Sequence, residues 1–170
     1  MAKKVIKSVL IVLALLCFGI VLWLGPLVRD IFKSGILDKN EVRTYDGNNA
    51  ENLKMMYAAI LAYHNSEDHF PEASGWMDAI QNRIKTADLS EGDAKKKMIR
   101  PDLRDKPGQF GYAMNDAASK KYKGDIKDQK IPLLFISLST ARNAHGNPRI
   151  DAQPGHILAV SVDGTIIKLP

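Results

Sequence analysis

Histidine and carboxylate side chains crowd together in one stretch of this sequence, as His64, Glu67, Asp68 and His69, and metal binding is the chemistry such a group could serve. On a helix His64 shares a face with Glu67 and Asp68, because residues three and four apart are neighbours there. His69 lies five residues on, beside the break that Pro71 imposes, while His145 and His156 fall far away in the C-terminal part. With no second pair at ligand spacing, the group reads as the solvated end of a helix, and His156 as a half-buried residue of a predicted strand. Asp116, Asp125 and Asp128 could offer calcium oxygen ligands from a loop. Lys120, Lys121, Lys123, Lys127 and Lys130 are interleaved with them and favour an ordinary surface loop. The sequence holds no glycine-rich phosphate loop or nucleophile elbow, and no catalytic carboxylate pair or Cys/His pair can be assembled from it. It points to a protein that is not an enzyme and that uses neither cofactor nor metal.

Lys95, Lys96, Lys97, Arg100, Arg104 and Lys106 form the main basic concentration, diluted by Asp102 and Asp105. Such a patch could hold nucleic acid or an acidic glycan, with binding that falls steeply as salt rises. Tyr112 and Tyr122 are too few to form a stacking platform for single strands. The patch therefore reads first as a solvated helix face and loop. A monomeric, membrane-tethered module for an acidic ligand is the alternative reading of the whole chain.

These residues need a scaffold, and the charge distribution shows where it lies. With 170 residues, 45% hydrophobic and 25% charged, the chain fits one domain plus an appendage and is too apolar to be disordered. The net charge of +5 comes from 24 basic and 19 acidic residues. Lys3, Lys4 and Lys7 precede residues 8–28, a run without charge, and every acidic residue follows it. The remainder is nearly balanced, so the basic character does not call for a polyanionic partner. Residues 8–28 match the roughly 20 residues a helix needs to cross a bilayer. The run exceeds the roughly 7–15 apolar residues of a secretory signal, and no small-x-small cleavage site follows Leu27 and Val28. Residues 1–33 are thus expected to be a basic cytoplasmic flank and a single transmembrane helix. The three lysines hold the N-terminus inside, and Trp23 sits near the outer headgroups. The single cysteine, Cys17, lies within the span, so the rest of the chain must be held by packing rather than disulfides.

Residues 34–47 read as a stalk, with Asp46-Gly47 as a turn, and residues 48–170 as the head. A helix capped by Asn48 or Asn49 is expected to run to the break at Pro71, with Leu53, Met56, Tyr57, Ile60, Leu61 and His64 on one face. Ser74 can cap a third helix reaching about Thr86, with Trp76, Ile80 and Ile84 on one side. Residues 88–98 hold one or two further helical turns, and residues 99–109, with Pro101, Pro107 and Gly108, form a loop. Strands are expected over residues 110–114, 133–138, 156–162 and 165–169. Asp163-Gly164 would supply the positive φ angles of a two-residue hairpin turn between the last two. Strands that follow helices predict an α+β fold, a helix packed on a small antiparallel sheet that ends in a hairpin.

With these elements in place the chain resembles the type IV pilin-like, or prepilin-like, proteins, including the pseudopilins of type II secretion. The resemblance rests on Asn52-Leu53-Lys54 opening a helix that reaches Ala62-Tyr63, then on Phe70-Pro71 and Trp76. It continues with Gly111-Tyr112-Ala113-Met114-Asn115, similar to the family's Tyr-Ala-x-Asn strand, and with Val162-Asp163-Gly164-Thr165-Ile166, similar to its closing turn. It covers roughly residues 48–169. It implies a structural, protein-binding role in pilus, secretion-system or envelope assembly, with other pilin-like or secretion-system proteins as partners. It also implies a place in the bacterial cytoplasmic (inner) membrane with the head on the periplasmic side. Family members carry a glycine ahead of the apolar run and a glutamate five residues into the mature chain. The run here contains no acidic residue, which points to a permanent anchor.

Overall fold

The computed structural model describes residues 44–84, 89–155 and 158–169, together with Trp23, which is helical and exposed. The chain divides into two units, Met1–Glu41 and Val42–Pro170. The expected membrane span at 8–28, apart from Trp23, and most of the stalk lie outside the described residues. Among the described residues no helix is long and apolar enough to cross a membrane.

Helix α1 spans Asn49–Glu67 and starts at a reciprocal cap. The Asn48 side chain accepts the Glu51 amide at 3.0 Å, and the Glu51 carboxylate accepts the Asn48 amide at 2.8 Å, which satisfies two donors that a helix start otherwise leaves unpaired. Its inner face carries Asn52, Leu53, Met56, Ala59, Ile60 and His64, all buried. This differs from the expected stripe in that Asn52 and Ala59 belong to it, while Tyr57 and Leu61 lie at its half-exposed margin. The helix stops before the expected break at Pro71. Asp68 adopts a left-handed conformation (φ 61°) and donates its amide to His64 O at 2.8 Å, a termination that a short polar side chain tolerates.

Beyond a 3-10 turn at Ala73–Gly75 comes α2, Trp76–Ile80, shorter than expected. Its cap is not Ser74. Asn143, far along the chain, accepts the amides of Met77 and Asp78 at 2.8 and 3.3 Å. Helix α3, Glu91–Lys96, is capped by Ser90, whose hydroxyl accepts the Asp93 amide at 3.0 Å.

The sheet contains β1 (Tyr112–Asn115), β2 (Pro132–Ile136), β3 (His145–Gly146), β4 (Leu158–Ser161) and β5 (Ile166–Lys168). A short helix, α4 (Pro148–Asp151), lies between β3 and β4. The strand order is β3-β1-β2-β4-β5. Neighbouring strands run antiparallel except β3, which pairs parallel to β1. The sheet is therefore mixed, where an antiparallel one was expected, because a two-residue strand is too short to show a hydrophobic alternation.

Period-two alternation sends Tyr112, Met114, Leu134, Ile136 and Val160 to one face, where they join Leu53, Met56 and Ile60 of α1 in the main core. Ala113, Phe135 and Ala159 point to the opposite face and form a second, smaller cluster with Ala144. All members of the α1 stripe but Ala59 and His64 are fully buried, and each large apolar side chain so placed contributes roughly 2 kcal/mol. One polar network spans the core beside α1. Asn52 donates to Ile99 O at 2.8 Å and to the Tyr112 hydroxyl at 3.1 Å, and accepts the Tyr45 hydroxyl at 2.8 Å. The Tyr112 hydroxyl donates to Asn49 Oδ1 at 2.8 Å. Burial raises the Tyr112 pKa well above that of a free phenol, so this hydroxyl keeps its proton and the bond it donates. Tyr45 is thereby tied to the head, as is Gly47, whose carbonyl accepts Arg104. The last residues read as stalk are thus part of the folded unit.

Replacing Ile60 with Asp sets an unpaired carboxylate into this core. It should destabilise the head by more than about 4 kcal/mol and abolish the cooperative melt followed by circular dichroism. A retained cooperative transition would contradict the packing.

Candidate functional site

The far face of the sheet, away from α1, is covered by the irregular segment that follows Asn143. Asn147 caps α4 by accepting the Arg149 amide at 3.0 Å, while the Asp151 carboxylate accepts the Asn147 amide at 2.7 Å. Gly146 fits because a Cβ there would collide with the Asp151 carboxylate. Ala152 bridges Ser137, and the Gln153 amide donates to Ile136 O at 2.9 Å, so the segment is stitched to the end of β2. Phe135, Ala113 and Ala159 are closed off beneath it.

This cover is incomplete. A cleft of about 860 Å³ remains between residues 146–155, the ends of β1 and β2, and residues 167–169 at the edge of the sheet, within the size range of sites that enclose small ligands or peptide side chains. Ile131, Pro132, Ile167 and Leu169 give it apolar walls. Around the rim, Asp116 is paired with His145 Nδ1 at 2.7 Å and Lys130 with Asp163 at 2.7 Å. Asp128 accepts the Lys130 amide at 2.9 Å. Arg149 and Lys168 are exposed there and belong to no ion pair among the described residues. Formal charges around the rim nearly cancel, and Arg149 and Lys168 are its cations without a carboxylate partner among the described residues.

The six basic residues singled out from the sequence are not gathered into one free cationic surface. Lys95 pairs with Glu91 at 3.2 Å and Lys96 with Asp93 at 2.6 Å. Lys97 is buried, with its ammonium 5.5 Å from the Tyr45 ring centre and 3.5 Å from Ile84 O. Arg100 is also buried and grips Asp102 through two nitrogens, at 2.7 and 3.0 Å, while Nη1 donates to Ser137 O. Arg104 lies mostly covered over the Tyr45 ring, and Lys106 is exposed. Half of these residues, Lys97, Arg100 and Arg104, tie the loop to the body of the head.

The other candidates are also placed apart. His64 turns inward, where Nε2 accepts the Lys123 amide at 3.0 Å and the ring stacks on Tyr122. Glu67 faces Arg83 at 3.5 Å, and His69 Nδ1 sits 2.8 Å from Phe70 O. Among the described residues no group of three His, Cys, Asp or Glu side chains could hold a metal ion. Asp116 and Asp128 are engaged separately, and Asp125 lies in a 3-10 turn of its own. His156 lies outside the described residues.

Asp163 and Gly164 do form the hairpin turn, but of another type. The Gly164 amide donates to Ser161 O at 2.9 Å, and only Gly164 has positive φ (88°). This is a three-residue loop, a type I turn followed by a left-handed glycine, rather than the expected two-residue turn. The extra residue is Val162, fully buried, whose amide donates to Ile131 O at 3.1 Å. Burying that side chain and bonding that amide favour the longer loop. The Lys130 ammonium, the Ser161 hydroxyl and the Thr165 amide hold the Asp163 carboxyl far below the usual range. Gly164 itself lies against α1, where a Cβ would come within 2.6 Å of the Tyr57 ring, and the Tyr57 hydroxyl donates to Val162 O at 3.2 Å.

The wall made by residues 143–155 was not expected from the sequence. Its available signal was Asn147-Pro148, a cap followed by proline at the first helical position. Compared with known protein families, curated proteins and solved structures, the chain finds no match.

Two measurements follow from the turn. Gly164→Ala should cost about 1–3 kcal/mol in urea unfolding, because it adds left-handed strain to the contact with Tyr57. A depressed carboxyl pKa stabilises above its unfolded value and loses that contribution as pH falls toward the folded one. Asp163→Asn should therefore lower the melting temperature at pH 7, and the difference from wild type should narrow below about pH 4. A difference independent of pH would exclude the charged contacts of Asp163 as its cause.

Proposed function

We propose that the chain is a membrane-anchored, pilin-like structural protein whose head works outside the cytoplasmic membrane through protein contacts, in pilus, secretion-system or envelope assembly. The observation that carries this reading is the closure of the C-terminal hairpin on the first helix of the head. Gly164 and Val162 dock on Tyr57 of α1, so the helix that follows the apolar N-terminal segment lies along a sheet ending in an Asp-Gly turn. That arrangement agrees with the resemblance in Tyr112-Ala113-Met114-Asn115 and in residues 162–166. The uncharged run at 8–28, behind Lys3, Lys4 and Lys7, supplies the anchor. Ion pairing within the basic loop favours protein contacts over a polyanionic ligand, since Lys97 and Arg100 are turned inward.

The full chain expressed in a Gram-negative host should stay with membranes after carbonate washing and keep its original N-terminus. The head should be digested by protease added to spheroplasts. Crosslinking in membranes should yield a ladder or a defined heteromeric band. Monomer at every crosslinker concentration would rule out assembly, and release by carbonate would rule out the anchor.

A further inference from the structure

The sheet ends at β5, and the register determines what its outer edge presents. Ser161 N–H donates to Thr165 O at 2.9 Å, and β4 and β5 pair Ala159 with Ile167 and Val160 with Ile166. Hydrogen-bonded and non-hydrogen-bonded pairs alternate along an antiparallel ladder. Ala159 and Ile167 are therefore the next bonded pair, and the amides and carbonyls of Ile166 and Lys168 point away from β4. Among the described residues no group hydrogen-bonds to them. An edge of this kind is a template for another strand; proteins blunt such edges with a bulge, a proline, a covering segment, a short strand or a lysine, and β5 carries the last two, being three residues long and ending in Lys168. β5 contains no proline, and its pairing with β4 is regular.

Two further features say what would sit there. The cleft opens alongside this edge, with Ile167 and Leu169 in its wall, so far-face side chains of an added strand would enter it. Arg149 and Lys168 stand on its rim, exposed and outside the ion pairs of the described residues. We propose that the outer edge of β5 docks an extended, acidic segment of another protein, which adds a sixth strand to the five-stranded sheet and seats alternate apolar side chains in the cleft. Lys168 also disfavours pairing of two β5 edges, since it would bring like charges close. This assignment deepens the reading of the head as a protein-contact module and does not depend on the anchor.

The test uses the full chain in detergent and a capped peptide of alternating Glu and Val, with a Lys/Val peptide as its counterpart, followed by fluorescence anisotropy. The Glu/Val peptide should bind and the Lys/Val peptide should bind at least several-fold more weakly. Lys168→Glu should reverse that order. Lys168→Pro removes an outward amide that the ladder does not use, and should weaken binding about tenfold while leaving the melting temperature close to wild type. N-methylating the Glu/Val peptide on the amides of one edge removes the same bonds from the ligand side, so the result stands even if the proline variant misfolds. Equal binding of both peptides, binding indifferent to N-methylation, or no binding at millimolar peptide would overturn the assignment. A dimer that Lys168→Pro dissolves and that excludes the peptide would make a second copy the occupant and would also overturn it. Membrane crosslinks that persist unchanged in Lys168→Pro would leave the assembly reading standing and remove the edge from it. Peptide binding without any crosslinks would do the reverse.

Discussion

The central strands β1, β2 and β4 are buried on both faces, and the rest of the head follows from that constraint. Met114, Leu134 and Val160 look toward α1, while Ala113, Phe135 and Ala159 look the other way and are equally inaccessible. One helix can cover only one face of a sheet. The second cover is built from irregular chain, which must satisfy its backbone groups without a regular ladder. Asn147, Asp151 and the bonds to Ser137 and Ile136 do this over a short stretch. A cover made in this way does not fill the face, and the cleft is what it leaves.

The same constraint explains the charges. A loop with two prolines and few apolar residues cannot be fixed by burial alone, so residues 97–104 are fixed by cations turned inward: Arg100 to Asp102 and Ser137 O, Arg104 to Gly47 O, and Lys97 over Tyr45. Buried cations are retained only where paired or hydrogen-bonded. The clustering of Lys and Arg in the sequence therefore marks a fastening. At the cleft and sheet edge, Arg149 and Lys168 are exposed and belong to no ion pair among the described residues.

Features that depend on neighbours in sequence could be read ahead of the structure. The helix start at Asn48 or Asn49, the Leu53-Met56-Ile60 period, the four longer strands and the position of the last hairpin all express local spacing. Features that depend on distant partners could not. The cap on α2 comes from Asn143, the two-residue β3 exists by pairing with β1, and the hairpin type is set by Val162 finding Ile131. Of the site, the turn at Asp163-Gly164 was legible, while the cleft depends on residues 143–155 folding back across strands whose order no single segment reveals. The basic cluster misled for a similar reason, since burial of Lys97 and Arg100 is a property of the whole head.

The last strand of the sheet is held on one side and, among the described residues, open on the other. Residue-resolved amide hydrogen exchange on the full chain in detergent tests this most directly, because protection reports whether each amide has a partner. The Ile167 amide should be protected together with those of β4, while the Ile166 and Lys168 amides exchange faster by orders of magnitude in the absence of any added peptide. Equal protection of all three would show that the edge of β5 is already covered, and would contradict the account.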